Sequence, residues 1–124
     1  ESFVTQADVL ITDAYFLGEK VPIRLSGDID GTPGIIIEGP KGRIVVEEGL
    51  IVAARHIHLP KDLADKWGLK NKDKVRVQTT GIRAQIFEEV KVRVKSDSFF
   101  ELHLDLDEAN GGAIRSGDQG FLLL

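Results

Sequence analysis

Short apolar runs, broken at close intervals by glycine and proline, constrain the fold of this sequence more than any other feature. The 124 residues include 13 glycines and 4 prolines, and turn residues separate most of the apolar runs. Some runs, such as Lys91–Lys95, alternate a charged residue with valine, which is the two-residue period of a half-buried strand. The sequence therefore predicts a chain that is mainly β with short helices, in the α+β class.

The predicted elements follow one another closely. Short helices are predicted at Thr12–Leu17, Pro60–Trp67 and Asp107–Gly112, each with a glycine at or just after its end. Strands are predicted at Asp8–Ile11, Pro22–Ser26, Gly34–Glu38, Arg43–Glu47, Leu50–His58, Lys74–Thr79, Arg83–Phe87, Val90–Lys95, Phe100–Asp105 and Gln119–Leu123. Because such short helices cannot cover both faces of a sheet, we expect a small β-barrel capped by short helices.

Composition excludes several classes of function. With 16 basic against 20 acidic residues, the net charge of −4 argues against nonspecific binding to nucleic acid, which needs a basic surface. No apolar run approaches the ~18 residues of a membrane span, so no membrane partner is predicted. The absence of cysteine excludes disulfides, thiolate zinc sites and a cysteine nucleophile. The chain starts at Glu1 and contains no methionine, so we expect a processed or truncated start.

The three histidines form the most informative pattern in the sequence. Residues two apart in a strand point to the same face, so His56 and His58 offer neighbouring imidazoles. His103 lies in a second alternating segment, on the same predicted face as Glu101 and Asp105. If the two segments are neighbouring strands, three imidazoles converge and leave one position open, as in a catalytic zinc site. The alternative is an exposed histidine pair and an unrelated, half-exposed His103.

Two acidic residues and one arginine accompany the histidines. Glu101 and Asp105 are candidates for a further metal ligand or for a hydrogen bond to an imidazole N–H, although a solvated carboxylate is the simpler interpretation. Arg55 points away from the histidine face if the strand is regular. At a strand end or a bulge it could instead reach a bound anion through a bidentate contact. An ordinary surface arginine is the alternative.

These motifs, together with three others, carry a resemblance to a known family. The chain resembles the phosphate propanoyltransferases, the PduL-type phosphotransacylases associated with bacterial microcompartments. The matching segments are Thr12–Ala14, Pro22–Gly34, Gly39–Gly42, Ile51–Leu59, Lys61–Lys70 and Glu101–Asn110. They occur in the family's order and spacing along essentially the whole chain.

The resemblance implies a reaction and a site. Acetyl- or propanoyl-coenzyme A and phosphate would be converted to acyl phosphate and free coenzyme A, or the reverse. The complete family enzyme has two small β-barrels and two zinc ions. By the motif match, His56, His58 and His103 would hold one zinc ion per chain, and Arg55 would be a catalytic contact to the anion.

The resemblance covers only the C-terminal portion of the family pattern, since an earlier His-x-His motif and an acidic ligand are missing here. We therefore expect residues 1–50 to complete a first β-barrel and residues 51–124 to form the second, which holds the histidines. This portion alone is expected to be inactive and to form a homo-oligomer or associate with the missing N-terminal half. The implied location is the cytoplasm or the interior of a bacterial microcompartment.

A second class of function stays open. The segments around Leu59–Lys70 and Lys72–Val77 also resemble swapped-hairpin and double-psi barrels, which include DNA-binding and structural modules. The acidic charge disfavours DNA binding. A non-catalytic β-barrel that binds a metal or serves assembly is therefore the alternative to the acyltransferase.

Overall fold

The computed structural model describes residues 5–124, which contain ten strands and three helices. The helices are α1 (Ile11–Leu17), α2 (Lys61–Trp67) and α3 (Leu106–Gly111). The strands are β1 (Ala7–Asp8), β2 (Ile23–Arg24), β3 (Ile35–Gly39), β4 (Gly42–Val46), β5 (Leu50–Ala53), β6 (His56–Leu59), β7 (Lys74–Gln78), β8 (Ile86–Val94), β9 (Glu101–His103) and β10 (Phe121–Leu123). The expectation of a mainly β chain with short helices is confirmed.

The chain divides into two compact units, residues 1–54 and 55–124. In the first unit, β5 is the central strand and pairs in parallel with both β1 and β2. Its residues Leu50, Ile51 and Val52 are buried, as expected for an apolar strand covered on both faces. Strands β3 and β4 form a separate antiparallel hairpin, and its turn, Pro40 and Lys41, lies between the paired Gly39 and Gly42.

The second unit is built on a five-stranded sheet in the order β10-β7-β8-β6-β9. Strand β6 pairs in parallel with β8 on one side and antiparallel with β9 on the other. The core face of this sheet carries the fully buried Ile57, Leu59, Val90 and Val92. Helix α2 supplies Ala64 to this core, and its Leu63 and Trp67 pack against it.

Local sequence signals set the helix ends. Helix α2 follows Pro60, whose missing N–H is no loss at a helix start, and ends at Gly68 in the left-handed conformation with φ 68°. Helix α1 ends in the same way at Gly18, with φ 73°. The three helix predictions are confirmed to within about one residue at each end. None of the helices among residues 5–124 has the length and apolarity that crossing a bilayer requires.

Two strand predictions were wrong. The predicted strand Leu50–His58 is divided at Ala54 and Arg55, because β5 pairs with β1 and β2 whereas β6 pairs with β8 and β9. Conversely, the segments predicted at Arg83–Phe87 and Val90–Lys95 are joined in the single strand β8. A register shift opposite β7 accommodates Glu89, which adopts φ 57°.

Several other strands are shorter than predicted, and β1, β2 and β9 are examples. Strand β1 ends at Asp8 because helix α1 starts at Ile11, and β9 ends at His103 because Asp105 already caps helix α3. Strand β2 comprises only Ile23 and Arg24. In the part of the chain that the structure describes, β10 and β9 are the two edges of the five-stranded sheet.

Candidate metal centre

The register of β6 against β9 brings the three histidines together on one face of the sheet. His56 lies directly opposite His103 in the antiparallel pair, and His58 lies opposite Glu101. Between them Ile57 pairs with Leu102, and both of these side chains belong to the core face. Strand alternation therefore turns the imidazoles away from the core, which leaves their nitrogens accessible to a ligand.

The three imidazoles lie close enough together to surround a single metal ion. Nε2 of His56 lies 3.2 Å from Nε2 of His58, and one ligand atom from each of the three histidines lies within 4.8 Å of the others. Nitrogens bound to one tetrahedral zinc at ~2.05 Å are ~3.3 Å apart, so the His56–His58 pair already has this spacing, and the set as a whole is within a small side-chain movement of it. His56 and His58 are half-buried, whereas the side chain of His103 is 45% exposed. The exposed side leaves room for a fourth, non-protein ligand.

Sequence comparison assigns the family. A family model described as phosphate propanoyltransferase matches residues 3–115. This chain belongs to the phosphate propanoyltransferase family. Phosphate propanoyltransferases of Thermotoga maritima and Priestia megaterium are 47% and 45% identical to it over 121 residues each. A third, from Rhodopseudomonas palustris, is 41% identical over 114 residues.

These matches cover nearly all of this phosphate propanoyltransferase family member but only part of each relative. They include 96%, 98% and 92% of the chain, against 57%, 56% and 50% of the relatives' own lengths. The chain thus spans about half the length of the curated relatives it matches. The family resemblance seen in the sequence motifs is confirmed.

The two acidic residues near the histidines, Glu101 and Asp105, have different environments. Oε1 of Glu101 lies 3.4 Å from Nε2 of His103, within reach of a protonated imidazole. Asp105 instead caps helix α3, where its Oδ1 accepts a hydrogen bond of 2.9 Å from the backbone N–H of Glu108. Asp105 follows the end of β9, so the expected shared face with His103 ends before it. Glu101 therefore contacts the cluster through His103.

Arg55 is held by groups that the sequence pattern did not reveal. Its Nη1 lies 3.0 Å from Oε2 of Glu108, and its Nε donates a 2.7 Å hydrogen bond to the carbonyl oxygen of Glu88. The guanidinium also lies 5.3 Å from the centre of the Phe87 ring, a cation–π distance. These three contacts therefore fix the orientation of the Arg55 side chain immediately before His56, the first residue of β6.

Glu108 connects the two segments that carry the histidines. Its Oε1 accepts a 3.1 Å hydrogen bond from the backbone N–H of Asp105, which is two residues beyond His103. Its Oε2 pairs with Arg55, which precedes His56. The sequence pattern that could have indicated this role is the capping box of Asp105 and Glu108. An acidic residue three positions after the N-cap can reach back to the start of the helix. Glu108 thereby fixes the β9–α3 junction against the start of β6.

Replacing Glu108 by glutamine is expected to lower the free energy of unfolding by about 1–2 kcal/mol, because the amide keeps the helix cap but loses the ion pair with Arg55. The pair is partly buried, with side chains 30% and 19% exposed. Urea unfolding followed by Trp67 fluorescence measures the loss. Asp65→Asn is the matched control, because it breaks the exposed Lys61–Asp65 pair and should cost less than ~0.5 kcal/mol. Equal losses in the two variants would contradict the connecting role of Glu108.

The pKa of His58 is lowered from its ordinary value of 6.5. Burial is the largest cause, followed by the positive charge of a protonated His103 and of Arg93. A neutral imidazole is the form that binds a metal, so this environment keeps His58 ready for ligation at mildly acidic pH.

An NMR titration of the metal-free protein should therefore show His58 with a midpoint below 6.5, and the urea-denatured chain should titrate near 6.5. The unfolded state then binds more protons between the two midpoints. The contribution of His58 to the free energy of unfolding is therefore fully present above pH 6.5 and is lost as the pH falls through its folded-state pKa. A folded-state midpoint at or above the denatured one would be inconsistent with this environment.

Proposed function

We propose that this chain takes part in phosphate acyl transfer. The reaction converts acetyl- or propanoyl-coenzyme A and inorganic phosphate to acyl phosphate and coenzyme A, and it runs in both directions. Membership of the phosphate propanoyltransferase family over residues 3–115 carries this proposal. The convergence of His56, His58 and His103 on one sheet face supports it, because the chemistry suits a metal site.

The histidine cluster is proposed to hold one zinc ion. Three neutral imidazoles without a thiolate favour zinc over softer metals, and they leave a position for phosphate or a thioester oxygen. Zinc bound there would polarise an oxygen of phosphate or of the thioester carbonyl. Glu101, near Nε2 of His103, is proposed to orient that imidazole and to offset part of the positive charge.

Arg55 is proposed as the contact to the anionic substrate. Two of the five N–H donors of a guanidinium are engaged by Glu108 and by the carbonyl of Glu88, so further donors are available for an anion. Glu108 would hold the group in a fixed orientation, which lowers the entropy cost of binding phosphate. A thiolate leaving group with a thiol pKa of about 8.5 needs little acid assistance, and this chain contributes no cysteine nucleophile.

Activity is proposed to require the part of the relatives that lies outside the matched region, together with the second zinc ion that the complete family enzyme is expected to hold. Residues 1–50 would complete one β-barrel with that polypeptide, and residues 51–124 would form the other. The exposed edges β9 and β10, and the apolar β3–β4 hairpin, suit pairing with another chain or a second copy. The location inside a microcompartment stays a prediction of the family resemblance.

The test measures thiol release from propanoyl-coenzyme A in the presence of phosphate. The zinc-loaded chain is assayed alone and together with the remaining segment of the Thermotoga maritima relative. We expect phosphate-dependent release only in the combined sample, and its loss in the His103→Ala variant. A combined sample that binds zinc in the histidine cluster and releases no thiol would overturn the proposal.

A non-catalytic assembly module is the second candidate. It is favoured by the β3–β4 hairpin, a two-stranded sheet that exposes Ile36, Ile37, Ile44 and Val45. An isolated hairpin of this kind gains stability when another surface covers it. Zinc binding and self-association without thiol release in the combined sample would support this candidate.

A further inference from the structure

The histidine cluster has a row of positive charges beside it. Strand β8 runs parallel to β6 on the side away from β9, and its Lys91 lies opposite His56 while its Arg93 lies opposite His58. Residues in register on adjacent strands share a face, so both cations lie next to the imidazoles. The alternating residues Val90 and Val92 are fully buried in the core.

Lys91 and Arg93 differ from the other cations of this sheet face in lacking an acidic partner. Lys74 pairs with Glu89 at 2.7 Å, and Arg76 pairs with Glu88 at 2.9 Å. Within residues 5–124, the side chains of Lys91 and Arg93 make no ion pair and no hydrogen bond. Both residues are half-buried.

Acidic groups near this pair compensate it only in part. Glu89, two residues before Lys91, feels the charge of Lys91 but forms its ion pair with Lys74. Glu101 lies across β6, on the His103 side of the cluster. The surface between β6 and β8 therefore carries a local excess of positive charge beside the imidazoles. A bound anion would compensate that charge.

We propose that Lys91 and Arg93 form a subsite for a phosphoryl group next to the metal centre. Residues two apart in a strand are separated by ~6.6 Å, a distance from which two long side chains can converge on one tetrahedral anion. Arginine offers a bidentate fork and lysine a point charge, a combination suited to phosphate oxygens. The identity of the ligand rests on the proposed function. The phosphoryl group belongs either to phosphate or acyl phosphate, or to coenzyme A.

Binding titrations on the full zinc-loaded chain separate these ligands. Inorganic phosphate, coenzyme A and pantetheine, which lacks the phosphates, are titrated by calorimetry against the wild type and against Lys91→Gln, Arg93→Gln and the double variant. Lys66→Gln, which removes the same charge from the opposite side of the sheet at α2, is the matched control. Zinc content and the urea midpoint are measured for each variant, so that a loss of fold or metal is recognised.

Each single variant should weaken binding of the phosphoryl ligand about tenfold, and the Lys66→Gln control should stay within about twofold. If only the affinity for inorganic phosphate falls, the ligand of the subsite is the substrate anion. If only the affinity for coenzyme A falls and that for pantetheine is unchanged, the ligand is a phosphate of coenzyme A. Wild-type affinities for both ligands in a folded, zinc-containing double variant would overturn the subsite. A subsite confirmed by these titrations while the combined sample releases no thiol would overturn the proposed function and leave the subsite standing.

Discussion

We expect the wild-type chain to bind about one zinc ion in the histidine cluster, and the His103→Ala and His56→Ala variants to lose it. Each histidine supplies one of the three nitrogens, and two imidazoles without a third cannot hold zinc against a competing chelator. Zinc content after dialysis against a moderate chelator measures the effect. We expect the ratio to fall from about one to near zero in both variants, and phosphate-dependent acyl transfer to disappear with it.

Two further variants sharpen this experiment. Gln78→Ala removes an exposed side chain on another strand of the same sheet and should keep the full zinc content. Glu101→Gln removes the carboxylate near His103 and should weaken zinc binding by about 10–100-fold without abolishing it, because it orients an imidazole rather than replacing one. A His56→Ala/His103→Ala double variant that retains one zinc per chain would contradict a metal site in the histidine cluster.

Gly34→Ala should strongly destabilise the first unit. A Cβ atom at this position would clash with the carbonyl oxygen of Val46 and lie 2.5 Å from that of Glu47. Both contacts are with backbone, and Val46 is buried, so the end of β4 has to move. We expect a loss of about 3 kcal/mol in the free energy of unfolding, at the upper end of overpacking effects. The loss of amide NMR signals from residues 7–53 with increasing urea measures it.

Gly39→Ala is the matched control. A Cβ atom there meets no heavy atom within 4 Å, and the substitution lies in the same hairpin. We expect a change within ~0.5 kcal/mol, with a small gain if the lost freedom of the unfolded chain dominates. Equal urea midpoints for the two alanine variants would contradict the prediction, because they would show that the backbone at Gly34 accommodates a Cβ atom without a loss in the free energy of unfolding.

The sequence alone predicted the parts of the site that depend on local periodicity. His56 and His58 are two apart in a strand, so their shared face followed from the pleat. Helix α2 was predicted for a similar reason, since Pro60 and Gly68 mark its two ends. That His103 lies opposite His56 could be stated only as a condition, because it depends on pairing between strands more than 40 residues apart in the chain.

The remaining features depend on which strands pair. The break between β5 and β6 at Ala54 and Arg55 is invisible in a continuous apolar pattern, because it arises when the chain leaves one set of partner strands for another. The irregularity at Glu89 joins two predicted strands into one, since a positive φ lets the pairing with β7 resume beyond it. The partnership of Arg55 with Glu108 likewise requires that α3 lie beside the start of β6.

The position of the third histidine has a consequence for the proposed metal centre. His56 and His58 lie on β6, an interior strand, whereas His103 ends β9, a three-residue strand at the edge of the sheet. An edge strand is held by one neighbour and frays at a lower free energy than the interior of the sheet. If zinc is bound as proposed, His103 would be able to leave the ion while the core of the unit stays folded. The rate of metal exchange would then depend on how long the β6–β9 pairing lasts, and bound zinc would protect the β9 amides from hydrogen exchange.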